Sequence, residues 1–168
     1  MGVKGVTMST VILYFYLGFT AGDFLNGALG QLLKSRKKVI IGSMVLSSMV
    51  LAYYFYPSAI DAELYYHLYF LLGLFSGYWA LFITVSSEQF GTNIRATVTT
   101  TVPNFVRGAA ILMTLGYKSL SDHFTGMVDQ PKISAAISVG VVCFALAAYG
   151  INKMKDTYSK ELDYVETM

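Results

Sequence analysis

Five long apolar runs constrain this chain more than any other feature of its sequence. They lie at Val6 to Leu33, Val39 to Tyr56, Leu64 to Val85, Val98 to Leu120 and Ile133 to Ile151, each near or above the roughly 20 residues that cross a hydrocarbon core as a helix. The runs are continuous rather than alternating and about twice as long as a transmembrane strand, which excludes a barrel. Helices are then the remaining way to pair every backbone group in lipid. The composition agrees, with 55% hydrophobic residues, 13% charged and a mean hydropathy of +0.54, values of an integral membrane protein rather than a soluble domain. The expected fold is all-α and membrane-integral, with five transmembrane helices in residues 1–152 and a cytoplasmic tail at 153–168. The first run is too long for a signal peptide, and Lys4 is its only basic flank on the left; it is read as retained.

Orientation follows from the basic residues. Lys34, Arg36, Lys37 and Lys38 fall on the same side as Arg95 and as Lys153, Lys155 and Lys160, while the opposite side holds Lys4, Lys118 and Lys132. By the positive-inside rule the richer side is cytoplasmic, so a multi-pass protein of the cell membrane is expected, with its N-terminus outside and its C-terminus inside. Aromatic residues cluster on the outer side, Tyr53 to Tyr56 closing the second run and Tyr65, Tyr66, Tyr69 and Phe70 opening the third. They are read as anchors at the headgroup level. The outer loop between them carries Pro57, Asp61 and Glu63.

Two ionisable residues interrupt the apolar runs. Arg107 lies inside the fourth, where a guanidinium costs about 2.5–3.5 kcal/mol on insertion scales unless it meets a partner or water. Asp23 lies at comparable depth in the first. Tyr16, Thr20, Asp23, Gly27 and Gly30 recur at helical spacing with Asn26 beside them; this face either packs closely on a neighbour or borders a cavity in which Asp23 could carry a proton. Thr100, Asn104, Arg107 and Thr114 share a side of the fourth run, with Pro103 one turn before Arg107 expected to kink it. Arg107 suits a carboxylate through its planar fork, or neutralises Asp23 as a structural pair. Gly73 and Gly77, continuing through Ala80 and Thr84, form a small-residue packing stripe on the third run. Tyr78 and Trp79 sit near mid-membrane, where they either contact a solute or belong to the core.

Glu88 and Arg95 lie close together on an inner loop, near the basic cluster that begins at Lys34. They read as a latch between helix ends or as a solvated pair worth about 0–1 kcal/mol. Cys143 is the single cysteine, so neither a disulfide nor a metal set can be built on it, and no cofactor is expected. No GxxxxGK, HExxH or GxSxG occurs, and an enzyme is not expected. Topology accounts for the basic residues without nucleic acid.

Two stretches carry a resemblance to a known family. Gly18 to Lys38, GFTAGDFLNGALGQLLKSRKK, resembles the link between the eighth and ninth helices of the major facilitator superfamily; Gly27 is in place, while Gln31 and Leu32 stand where that family has an acid and a base. Glu88 to Gly108, EQFGTNIRATVTTTVPNFVRG, is similar to the inner link between the tenth and eleventh helices of the sugar porter, aromatic acid symporter and organic anion branches, through Glu88, Phe90, Thr92, Arg95, Thr97, Arg107 and Gly108. The resemblance implies helices eight to twelve of a twelve-helix transporter, with the N-terminal half and the seventh helix as a missing partner. Together with two opposite ionisable groups, Asp23 and Arg107, on polar helix faces at similar depth, it leads to the expectation of proton-coupled movement of a small organic anion or sugar-like solute by alternating access. The solute and proton pathway would then comprise Asp23, Arg107, Asn104, Asn26, Thr20, Tyr16 and Trp79, and the cytoplasmic gate Glu88, Arg95, Arg36 and Gln31. The alternative is a half-length membrane subunit, or a non-transporting scaffold or remnant, that needs a separate N-terminal half.

Overall fold

The computed structural model describes residues 5–55, 61–158, 163 and 165. Helices make up 83% of the described residues, and no strand occurs among them. They are α1 (Met8–Leu32), α2 (Arg36–Phe55), α3 (Ala62–Ser76), α4 (Trp79–Glu88), α5 (Thr92–Phe124) and α6 (Pro131–Lys153). Four segments are long and apolar enough to cross a membrane: α1, α2, α3 with α4 (Ala62–Glu88), and α6. The chain is thus a multi-pass membrane protein by length and composition. Tyr56, Pro57, Lys4 and Lys160, used above for anchoring or orientation, lie outside the described residues.

Local chemistry sets the helix boundaries. The Asp61 carboxylate accepts the N–H of Leu64 at 2.7 Å and caps α3, satisfying one of the donors that every helix start leaves free. Ser35 does the same for α2 by accepting the N–H of Lys38 at 3.3 Å. Lys34 turns the chain between α1 and α2 in the left-handed region, at φ 48°. Pro131 opens α6, where its missing N–H has no helical partner to lose.

The chain divides into two compact units, one running to Val85 and resuming at Asp156, the other running from Ser86 to Lys155. In the first, α1 packs most extensively on α3. The contact is backbone to backbone: a Cβ added to Gly18 or Gly22 would fall on the carbonyl oxygens of Phe70 and Leu74, and one added to Gly73 or Gly77 on those of Phe15 and Phe19. Four glycines thus interlock in reciprocal pairs, the close approach that small residues permit in membranes. Gly18, Gly22, Asn26 and Gly30 form the buried stripe of α1, so the burial differs from the expected shared face: Gly27, Thr20 and Tyr16 are exposed. At the far end of these helices the rings of Tyr54, Tyr65 and Tyr69 meet with centroids 4.9 to 6.1 Å apart. Several of the aromatic residues read as anchors therefore pack on one another.

In the second unit α5 packs on α6. Pro103 sits inside α5 without ending it, and α5 buries none of its residues. It begins at Thr92, earlier than the apolar run, so Arg95 lies in its first turn rather than on a loop.

The glycine interlock yields a stability test. Gly22→Ala should lower the free energy of unfolding in mixed detergent micelles by about 1–3 kcal/mol, the usual cost of overpacking a core. Gly27→Ala, with nothing within 4 Å of the added carbon, should be neutral or stabilising by about 0.5–1 kcal/mol. Equal effects would mean that α1 does not meet α3 through this face.

Candidate functional site at a broken transmembrane segment

The third apolar run is not one helix. It stops at Ser76 and restarts at Trp79, so the expected continuous span from Leu64 to Val85 is corrected to two half-helices. Ser76 and Gly77 supply the pair at which helices commonly kink. Gly77 has φ −75° and ψ 63°, and the N–H of Tyr78 turns back to the Ser76 carbonyl at 2.9 Å, an inverse γ-turn. The small stripe through Ala80 and Thr84 therefore does not continue along one helix, and Thr84 bonds instead to the Ala80 carbonyl at 2.8 Å.

A break near the middle of a 27-residue span strands backbone donors and acceptors where water is scarce, at several kcal/mol each. Side chains of α1 meet both sides of it. Asn26 donates through Nδ2 to the Gly77 carbonyl at 2.7 Å. Asp23 accepts the N–H of Ala80 at 3.2 Å, so its carboxylate lies at the positive end of α4. From α2, the Ser43 hydroxyl donates to Asn26 Oδ1 at 2.8 Å. Asn26 is 4% exposed and Ser43 equally so, which fits a buried amide satisfied on both of its ends. The glycine interlock makes this possible, because it brings α1 within side-chain reach of the break.

The other expected pathway residues are distributed differently. Trp79 opens α4 directly beside the Asp23 contact, with its ring 5.8 Å from that of Phe82. Tyr16, 62% exposed, lines a groove of about 530 Å³ with Val11, Phe15, Tyr65 and Tyr69, two turns along α1 from Asp23. Thr20 is exposed.

Asn104 and Arg107 belong to the second unit. Arg107 donates through Nη1 to Asn104 Oδ1 at 3.3 Å, and Asn104 donates to the Thr100 carbonyl at 3.2 Å. The hydroxyls of Thr100 and Thr114 are turned onto carbonyls of their own helix. That leaves Arg107, exposed and at the middle of 33 residues, as the group on this face with several donors to spare.

Among the expected gate residues, Arg95 donates to the Phe90 carbonyl at 3.1 Å, and Glu88 closes α4. Gln31 and Arg36 instead meet a segment that the sequence reading did not connect with them. Ser35 donates to Asp156, and the Tyr158 hydroxyl reaches the Gln31 carbonyl at 3.5 Å and its amide oxygen at 3.4 Å. A signal for this existed in α2, whose first turn carries three cations and no acid, the reverse of what a helix dipole favours. No group of His, Cys, Asp and Glu able to hold a metal occurs among the described residues. The chain matches no known family model, no curated protein and no solved structure.

The bonds at the break can be tested through Trp79, the single tryptophan. Asn26→Ala strands the Gly77 carbonyl and the Ser43 hydroxyl, and should destabilise by about 1–3 kcal/mol for each stranded group. Asp23→Asn retains an acceptor for Ala80 and should cost less. Tryptophan emission should shift in the Asn26→Ala variant; unchanged emission and stability would mean that α1 does not hold the break.

Proposed function

We propose that the chain is part of a secondary active transporter that moves a small organic solute, an organic anion or sugar-like compound, by proton-coupled alternating access. The observation that carries this reading is the broken span held by Asp23 and Asn26. Discontinuous helices at the bilayer midplane are costly and recur where transporters bind solutes and coupling ions. Protonation of Asp23 would remove its charge from the start of α4, loosening the hold of α1 on that half-helix; this is the proposed link between proton and conformational change.

The proposal includes a fifth crossing, by α5. Gln89, just before α5, donates to the Lys155 carbonyl just after α6 at 3.0 Å, and Ser35 bonds to Asp156. The Gln89–Lys155 contact supports an even number of crossings between them. With α6 apolar enough to cross, this favours a crossing by α5, whose 33 residues give about 50 Å at 1.5 Å per residue. Arg107 then lies at mid-depth, where a solute carboxylate is a fitting partner for its fork. The similarity of Glu88 to Gly108 and of Gly18 to Lys38 to inner links of the major facilitator superfamily supports the same class. In that reading Glu88, Arg95, Arg36 and Gln31 belong to the inner gate. A second reading, a membrane subunit completed by another half, is favoured by the exposure of α5, and the two readings are compatible.

Topology is checked by cysteine labelling in a Cys143→Ala background. A probe at Thr125 should react from outside the cell, and one at Lys38 only after permeabilisation. Labelling of both from one side would remove the fifth crossing.

Function is checked with protein purified from its native membrane together with the chains that accompany it. An inward proton gradient should drive radiolabelled gluconate into proteoliposomes. Arg107→Lys, which keeps the charge and loses the fork, should reduce uptake at least tenfold, about 1.4 kcal/mol or more, without loss of fold. Asp23→Asn should abolish gradient-driven accumulation and leave exchange partly intact. If both variants accumulate gluconate as the parent does, the anion reading is to be abandoned.

A further inference from the structure

The chain after α6 returns to the link between α1 and α2. The Asp156 carboxylate accepts the Ser35 hydroxyl, the backbone N–H of Arg36 and, at 3.3 Å, that of Tyr158. Tyr158 spans to Gln31 on the last turn of α1. Ser35 and Thr157 are each 5% exposed, so the segment meets the link at a buried point beside Ser35, while Leu33 and Lys34 stay exposed.

The charge pattern explains why an acid is held there. Arg36, Lys37 and Lys38 occupy the first turn of α2, where the helix dipole disfavours cations. Lys34 precedes them and Lys155 precedes Asp156. The charged group acting on Asp156 is Arg36; Lys34 on the link and Lys37 and Lys38 in α2 are its neighbours in sequence, and Ser35, Gln31 and Tyr158 are neutral. We infer that Asp156–Tyr158 is a detachable strap, which when docked fastens the α1–α2 link by lending α2 the acid its first turn lacks, and when released leaves that link free to move.

Burial opposes the charge on Asp156, but the Ser35 hydroxyl, the N–H groups of Tyr158 and Arg36, and the Arg36 guanidinium outweigh it and hold the carboxyl below its usual value of 3.8. A depressed carboxyl favours docking fully above the free value, and the advantage disappears as pH falls through the docked value. The strap therefore stays fastened across neutral pH, and salt loosens it by screening.

The strap is independent of whether the chain moves a solute, and its test reads no transport. In full-length Cys143→Ala protein, a cysteine at Thr157 should react slowly with a membrane-impermeant maleimide at neutral pH. Adding Asp156→Asn, which keeps the shape and removes the charge, should speed labelling at least tenfold, and Ser35→Ala should act in the same direction. Trypsin cleavage after Lys155, read by mass in protein with native Thr157, should accelerate in parallel. Helix content and labelling of a cysteine at Thr125 should be unchanged, as controls for folding. Equal rates in the parent and in the Asp156→Asn variant, whether slow or fast in both assays, would overturn the strap.

Discussion

The reciprocal contact of Gly18 and Gly22 with Gly73 and Gly77 is the constraint on which the rest of the first unit depends. In lipid, association gains little from burying apolar surface, since the tails are as apolar as leucine; close backbone packing and hydrogen bonds must supply the difference. With four glycines at the contact, α1 and α3 approach so closely that a Cβ on any of them would fall on a carbonyl oxygen of the other helix. That distance is what allows two short side chains, Asp23 and Asn26, to reach a backbone break in the neighbouring helix. Larger residues at the contact would separate the helices and leave the break unsupported.

The polar groups in these helices have different standing. The hydroxyls of Thr99, Thr100 and Thr114 in α5 close onto carbonyls of their own helix and so need no partner on another element. Asn26 is committed at both ends and acts as a structural joint. Asp23 differs because its role depends on its charge: a carboxylate complements the positive end of α4 and a neutral acid does so less. Arg107 differs again, since one bond to Asn104 leaves most of its fork available. The proposed function rests on these two.

Much of the helical architecture was legible in the sequence because apolar length alone fixes it; each helix from α1 to α6 falls within or around an expected run. The break was not legible. Phe75 to Ala80 reads as continuous apolar helix, and only the environment of Ser76 and Gly77 decides whether the chain turns there. The glycine stripe on the third run was legible as packing, but its partner stripe on α1 was not separated from the neighbouring Gly27, since a helical repeat places both near one face. The strap was hidden for a different reason. Asp156 lies more than a hundred residues from Ser35 in the chain, and periodicity carries no information about such pairs, although three cations in a first turn that lacks an acid are a local anomaly that asks for a remote one.

Helix α2 connects the two polar regions. Ser35 caps its start and holds Asp156, and Ser43, about two turns later, holds Asn26 at the break. The eight residues from Ser35 to Ser43 span about 12 Å of helix that does not stretch, so a displacement of the start of α2 that exceeds the tolerance of a hydrogen bond must also disturb Ser43 and Asn26, unless α2 pivots about that contact. The fastened strap thus biases the arrangement in which Asn26 holds the Gly77 carbonyl. Conversely, a rearrangement at the break that releases Ser43 removes one of the restraints keeping α2 in register with Asp156. A bond at the break and a bond at the α1–α2 link are in this way two restraints on one rigid element, and neither can be altered without changing the load on the other.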